Sequence, residues 1–303
     1  MPAALRRLLD QRAQPLSPAL RTTLLVVSAI GVVVASIWAW RSSGLSASDI
    51  SWTPIAVAFL VAAPASLMLK ALEFRVAARV ADQHPSARRS FDVAVVSSAA
   101  NLLPLPGSLL VTVRSLSEDG STYGRAIAAS AVPGLVWLGI TGLVGGVAIG
   151  IEGAIWLALI VVAAGIGAAV GAAALFRSTA PESGRASLAL AIIGIEAGWL
   201  AVSAVRLGLA VSALGISIEP TQAVALSVAG ALTVAIGFFP GGLGVREALI
   251  AALAPLIGLP FDAGILLGSV DRIIWLTFLA GAASLLAIVN RRRPAGSTGS
   301  PIR

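Results

Sequence analysis

Apolar residues in this chain run in long blocks instead of alternating with polar ones, at approximately 22–40, 52–71, 91–113, 124–150, 153–176, 187–214, 221–258 and 261–289. Blocks of about 17 to 25 residues are long enough to cross a hydrocarbon layer roughly 30 Å thick as α-helices. No polar stretch between them is long enough to hold a soluble domain, so the pattern predicts an all-α polytopic membrane protein. Two blocks are interrupted: Asn101, Pro104, Pro106 and Gly107 break 91–113, and Pro240, Gly241, Gly242 and Gly244 break 221–258. Proline removes a backbone donor and glycine loosens the chain, so each block is expected to form two half-helices joined by irregular backbone. Such backbone survives at membrane depth only inside protein or beside a watery cavity.

Basic residues orient these elements, because positively charged flanks stay cytoplasmic. They crowd the N-terminal arm (Arg6, Arg7, Arg12, Arg21), the tail (Arg291, Arg292, Arg293, Arg303) and the loop after the second block (Lys70, Arg75, Arg79, Arg88, Arg89). Both termini and that loop are therefore expected on the cytoplasmic side of the plasma (inner) membrane. If 91–113 crossed fully, Arg114, Arg125, Arg177 and Arg185 would all fall outside; if it enters and returns, all four stay inside. The same reasoning makes 221–258, flanked by Glu219 and Asp262, enter and leave by the outer face. The expected architecture is about six full transmembrane helices plus two re-entrant broken-helix hairpins in an inverted repeat, with halves at about 52–150 and 187–289. A single transmembrane domain at 22–290 then lies between a basic arm, 1–21, and a basic, disordered tail, 291–303. The first block resembles a secretory signal but runs into Arg41 without a small-x-small cleavage pattern, so it is expected to be retained.

Composition agrees with lipid as the solvent: 57% of the 303 residues are hydrophobic and 12% charged, too little polar surface to cover a soluble globule. The formal charge of +7 does not imply nucleic acid, since the arginines sit in short clusters beside apolar blocks. Cysteine is absent and the single histidine, His84, lies in a polar loop, so no metal centre and no cofactor are expected. No nucleophile elbow, HExxH or phosphate-cradling loop is present, and the chain is not expected to be an enzyme. Gly142, Gly146 and Gly150, with Gly167 and Gly171, are expected to let helices approach closely, a homodimer face being the alternative.

Candidate chemistry concentrates in the broken blocks and in charges within spans. GFFPGGLGVREA, Gly237 to Ala248, offers glycine-rich backbone amides at the start of a half-helix, which favour an anion. Arg246 stands in that first turn, suited to phosphate through paired hydrogen bonds; its alternative is a pair with Glu247 or another acid. In the first hairpin Asn101 is expected to satisfy backbone groups freed by Pro104 and Pro106. Arg114 either joins Arg246 on a charged headgroup or snorkels to the interface. Glu196, Arg206, Asp271 and Arg272 lie within spans, where charge is expensive and faces protein. Glu196 is a candidate proton carrier, or else a partner of Arg272 or Arg206. Asp271 and Arg272, about 100° apart around a helix, are expected to have separate partners. Arg75 and Arg79, four apart on one helical face, suit anionic headgroups, with substrate binding the alternative.

FFPGGLGVREALIAALAPLIGLPFDAGILLGSVDRIIWL resembles the C-terminal signature of the lysylphosphatidylglycerol synthase transmembrane family, the flippase-like membrane proteins. ALEFRVAAR and NLLPLPGSLLVTVRSL occupy the places of that family's other two motifs. The resemblance implies movement of a lipid between leaflets. It implicates Arg75, Asn101, Pro106, Gly107, Arg114, Pro240, Gly241, Gly242, Gly244, Arg246, Glu247 and Arg272. The soluble synthetase domain of such proteins does not follow in these residues, so this chain is not expected to aminoacylate lipid itself. LPLPGSLLVTVR is also less polar around its glycine than relatives are.

The expected function is that of a lipid translocase acting on an anionic or aminoacylated phospholipid or a polyprenyl-phosphate-linked sugar. Transport of a small anion, or a non-transporting scaffold for a cell-envelope enzyme, are the alternatives. The expected partners are the lipid substrate and either a second copy of the chain or a separate envelope-biosynthesis enzyme.

Overall fold

A computed structural model describes residues 30–31, 33–101, 107–236 and 244–291. Among these the chain is helical between short turns, with no strand. Helix α1 covers 30–42, residue 32 aside, and the start of the first apolar block lies outside the described residues. It is followed by α2, Trp52–Val80, and by the paired short helices α3, Ala87–Ala100, and α4, Gly107–Glu118. Three long helices come next: α5, Tyr123–Ile151, α6, Ile155–Thr179, and α7, Arg185–Ala213. A second short pair, α8, Pro220–Ile236, and α9, Val245–Leu253, precedes the last helix α10, Phe261–Arg291. Five of these, α2, α5, α6, α7 and α10, are long and apolar enough to cross a membrane. Their outer faces are unlike those of a soluble protein, with Trp156 81%, Leu190 70% and Leu60 68% exposed. The protein is an all-α, multi-pass membrane protein.

Both short pairs are helical hairpins whose ends meet. Gln83, just before α3, donates through Nε2 to the Leu116 carbonyl and to Ser121 Oγ, each at 2.9 Å, and Arg89 pairs with Asp119 at 2.8 Å. In the second pair Gln222, near the start of α8, donates through Nε2 to the carbonyl of Ile257 at 3.0 Å. The hairpins pack at opposite ends of the bundle. Val93 and Leu116 of the first share a cluster with Ala126 and Leu188, near the starts of α5 and α7. Leu226 and Ile250 of the second share one with Ile149 and Leu207, near their ends.

Proline and glycine act locally as their chemistry requires. Pro64 cannot donate within α2, and a π turn at Ala58–Ala62 directly precedes it. Gly107 begins α4 so close to α3 that a Cβ there would land on the Ala100 carbonyl. The long-helix pair α5–α6 is backbone-close: a Cβ on Gly142 would lie 2.6 Å from Gly165 Cα, and one on Gly146 2.7 Å from Val162 Cγ2. Gly167 and Gly171 do not take part, having open space around them; Gly165 fills the role expected of them, because it is the glycine of α6 that faces α5.

Gly142→Val is therefore expected to lower the melting temperature of the detergent-solubilised protein, by an overpacking cost of about 1–3 kcal/mol. Gly167→Val should leave it unchanged in the same thermal scan.

Candidate functional site

The approach of α9 to α10 depends on two glycines one turn apart. A Cβ on Gly264 would meet Ala251 Cα at 2.6 Å, and one on Gly268 would meet Glu247 Cα at 3.2 Å. With side chains absent there, the start of α9 lies against the next turn of α10, which carries Asp271 and Arg272. Gly244 enters α9 with φ of 80°, a conformation glycine adopts without strain. Its N–H donates to Glu247 Oε2 at 2.8 Å, so the glutamate satisfies an otherwise orphaned donor of the helix start.

Five charged side chains then converge. Arg246 donates through Nη1 to Asp271 Oδ2 at 2.6 Å. Arg206, from α7, reaches Asp271 Oδ1 through Nε at 2.9 Å and Nη2 at 2.7 Å. It also donates to Ser66 Oγ of α2 at 3.4 Å and lies 5.2 Å from the centre of the Trp275 ring. Arg272 donates to Glu247 Oε1 at 2.8 Å. Asp271 and Arg272 thus have separate partners, as their angular offset requires.

Among the described residues three arginines face two carboxylates in this cluster, leaving one positive charge in excess when all are ionised. The Arg246 side chain is the most accessible of the five, at 20%, against 2% for that of Asp271. Asp271 lies ten residues beyond the start of α10, about 15 Å along the helix at 1.5 Å per residue. The cluster is therefore well inside the bundle. Chemically it is a guanidinium-lined position whose resident counter-ion, Asp271, is shared between two donors.

Of the residues expected from sequence, Gly244, Arg246, Glu247, Arg206 and Arg272 come together here. Gly241, Gly242, Pro106 and Pro240 lie outside the described residues. Asn101 accepts through Oδ1 from the Ser108 N–H at 3.2 Å, an otherwise orphaned donor of the α4 start, while Pro104 and Pro106, whose freed backbone groups it is expected to satisfy, lie outside the described residues. The structure does not bring Arg114 to Arg246; its side chain is 82% exposed and pairs with Glu118 one turn on, at 2.8 Å. Arg75 is half-buried on α2 and also lies outside the cluster. Glu196 pairs with neither Arg206 nor Arg272, both of which are taken by other acids, and its Oε1 is buried without a hydrogen-bond partner.

Ser66 and the hub role of Asp271 escape a reading of the sequence. The signal for the hub is the Gly264–Gly268 spacing immediately before Asp271 and Arg272, which marks where α10 admits another backbone. Compared with protein-family models and with curated proteins, the chain matches none.

Asp271→Ala leaves Arg206 and Arg246 without their shared acceptor and is expected to cost about 3–5 kcal/mol of stability. Chemical denaturation in detergent should show this loss, whereas Glu118→Ala, at the exposed pair, should leave the transition in place.

Proposed function

We propose that the chain is a lipid translocase that carries an anionic phospholipid headgroup, or a phosphate-linked one, past the arginine cluster while the tails stay in the bilayer. The observation that carries the reading is the excess positive charge of a buried cluster whose most accessible member is Arg246. A phosphate arriving at Arg246 meets a planar donor set that it can engage through two hydrogen bonds. Asp271, displaced from Arg246, keeps its bonds to Arg206, so neither the carboxylate nor the guanidinium is left unpaired.

In this reading each hairpin enters and leaves the membrane by one face, the first from the cytoplasm and the second from outside. The joined hairpin ends, and their placement at opposite ends of the bundle, support that topology. So does the distribution of arginine, with both termini in the cytoplasm and the plasma membrane as the site. Rocking of one half against the other then exposes the headgroup position to each leaflet in turn. The resemblance to the flippase-like family points the same way.

Reconstituted in vesicles with fluorescent phosphatidylglycerol, the protein is expected to move label between leaflets, as followed by dithionite quenching. Arg246→Ala should slow that movement about tenfold or more, the kinetic equivalent of one charge-assisted hydrogen bond. Arg246→Lys should fall between the two. Equal rates for wild type and Arg246→Ala would sink the headgroup assignment, and labelled inorganic phosphate entering in place of lipid would point to a small-anion transporter.

The chain has no cysteine, so single cysteines report topology directly. Ser86→Cys and Ser121→Cys should label from one side of the membrane and Ser217→Cys from the other. Labelling of the first two from opposite sides would overturn the re-entrant arrangement.

A further inference from the structure

One buried charge-bearing side chain in α7 takes no part in the arginine cluster. Glu196 is 2% exposed, eleven residues beyond the start of α7, and its Oε1 has no hydrogen-bond partner. The charged groups that act on it belong to α2: Glu73 and Lys70. Those two are paired at 2.8 Å, with side chains 19% and 21% exposed. Among the described residues, the elements packed on α7 other than α2 bring no charged partner to Glu196. α8 carries no titratable side chain. α5 has only Tyr123 and Arg125, both in its first turn. On α10, Asp262 lies in the first turn and Arg291 is the last residue, while Asp271 and Arg272 are held by Arg206, Arg246 and Glu247.

A carboxylate oxygen without a hydrogen bond in a low-dielectric interior is the costly case, and a proton on it removes that cost. A metal cation fits the position poorly. It would need several oxygen ligands, and the acid that acts on Glu196, Glu73, is already bound to an ammonium that repels a cation. Ser66, Lys70 and Glu73 follow one another at spacings of four and three on α2, so they share one helical face. The same Ser66 accepts from Arg206. This polar face therefore runs from the arginine cluster to the surroundings of Glu196.

We infer that Glu196 is a proton-binding site, loaded through Glu73, that couples headgroup movement to a proton gradient. A proton taken up by Glu73 on its accessible side passes to the Glu196 carboxylate, and Glu73, again a carboxylate, returns to Lys70. Release runs back through Glu73 after the rocking of the halves has turned that acid to the opposite face, so that one proton crosses for each cycle. The coupling rests on the lipid-transport reading above; the proton site itself does not.

The test uses the full chain in vesicles with fluorescent phosphatidylglycerol, with and without an imposed pH gradient. Wild type is expected to move lipid several-fold faster with the gradient. Glu196→Gln, a neutral mimic of the protonated acid, should move lipid at the wild-type gradient-free rate under both conditions, and Glu73→Gln should blunt the response. A Glu196→Gln protein that keeps the gradient response, or a wild type indifferent to the gradient, overturns the coupling while leaving lipid transport standing. Acceleration by a sodium gradient at equal pH would place a metal cation there instead. Should no lipid move under any condition, the transport reading fails and pH-difference infrared spectroscopy decides the proton site. A carboxylic acid band present in wild type and lost in Glu196→Gln upholds it; identical spectra overturn it.

Discussion

Asp271 holds the interior together. Burying a carboxylate costs several kcal/mol unless it is paired and fully hydrogen-bonded, and here one acid accepts from guanidinium groups on two other elements, α7 and α9. Those elements must be in place before the acid can be buried at all. Packing of the second hairpin, the tilt of α7 against α10 and the position of Arg246 are thus linked through a single side chain. The linkage in turn requires Gly264 and Gly268, because a side chain at either would hold α9 off α10 and pull the donors out of reach.

The two hairpins share a form but are stabilised differently. The first is closed by Gln83, Arg89 and Asp119 at its open end and by Asn101 across its break. Apart from Arg114, whose pair with Glu118 is exposed, it places no charge along α4 until the helix ends. The second carries its charges inward, with Arg246 and Glu247 in the first turn after its break. A hairpin fastened by buried ion pairs can exchange one anion for another without losing its footing. One whose ion pair lies at its exposed, open end offers an anion nothing comparable inside the bundle. The two halves of the chain are therefore alike in architecture and unlike in chemistry.

The fold was legible because lipid imposes a simple rule: a helix must be long and apolar to cross, and prolines with glycines mark where one stops. The spans at 124–150, 153–176, 187–214 and 261–289 follow from that rule, and so does the existence of two broken segments. Partnership was less legible. That Asp271 and Arg272 need different partners follows from helical geometry, but which arginine reaches Asp271 depends on how closely α9 approaches α10. That distance is set by glycines which, in a chain with 31 of them, do not stand out. Gly167 and Gly171 show the same difficulty from the other side, since spacing alone does not say which face of α6 meets α5.

In the proposed translocase, a resident acid solves a problem that any carrier of buried anions must face. After the anion leaves, its arginines would remain desolvated and unpaired, and a return step through that state would carry much of the desolvation penalty in its barrier. Asp271 supplies a counter-ion that never departs, so Arg246 is paired whether or not an anion is bound. It also sets a ceiling on affinity, because an incoming phosphate gains only the difference between its own bonds to Arg246 and those of Asp271. Under that proposal weak net binding suits a protein that must release what it holds, and the excess positive charge keeps the difference in the anion's favour. Removing Asp271 would thus not create a better site: it would strand two arginines and trap whatever anion arrived to pair with them.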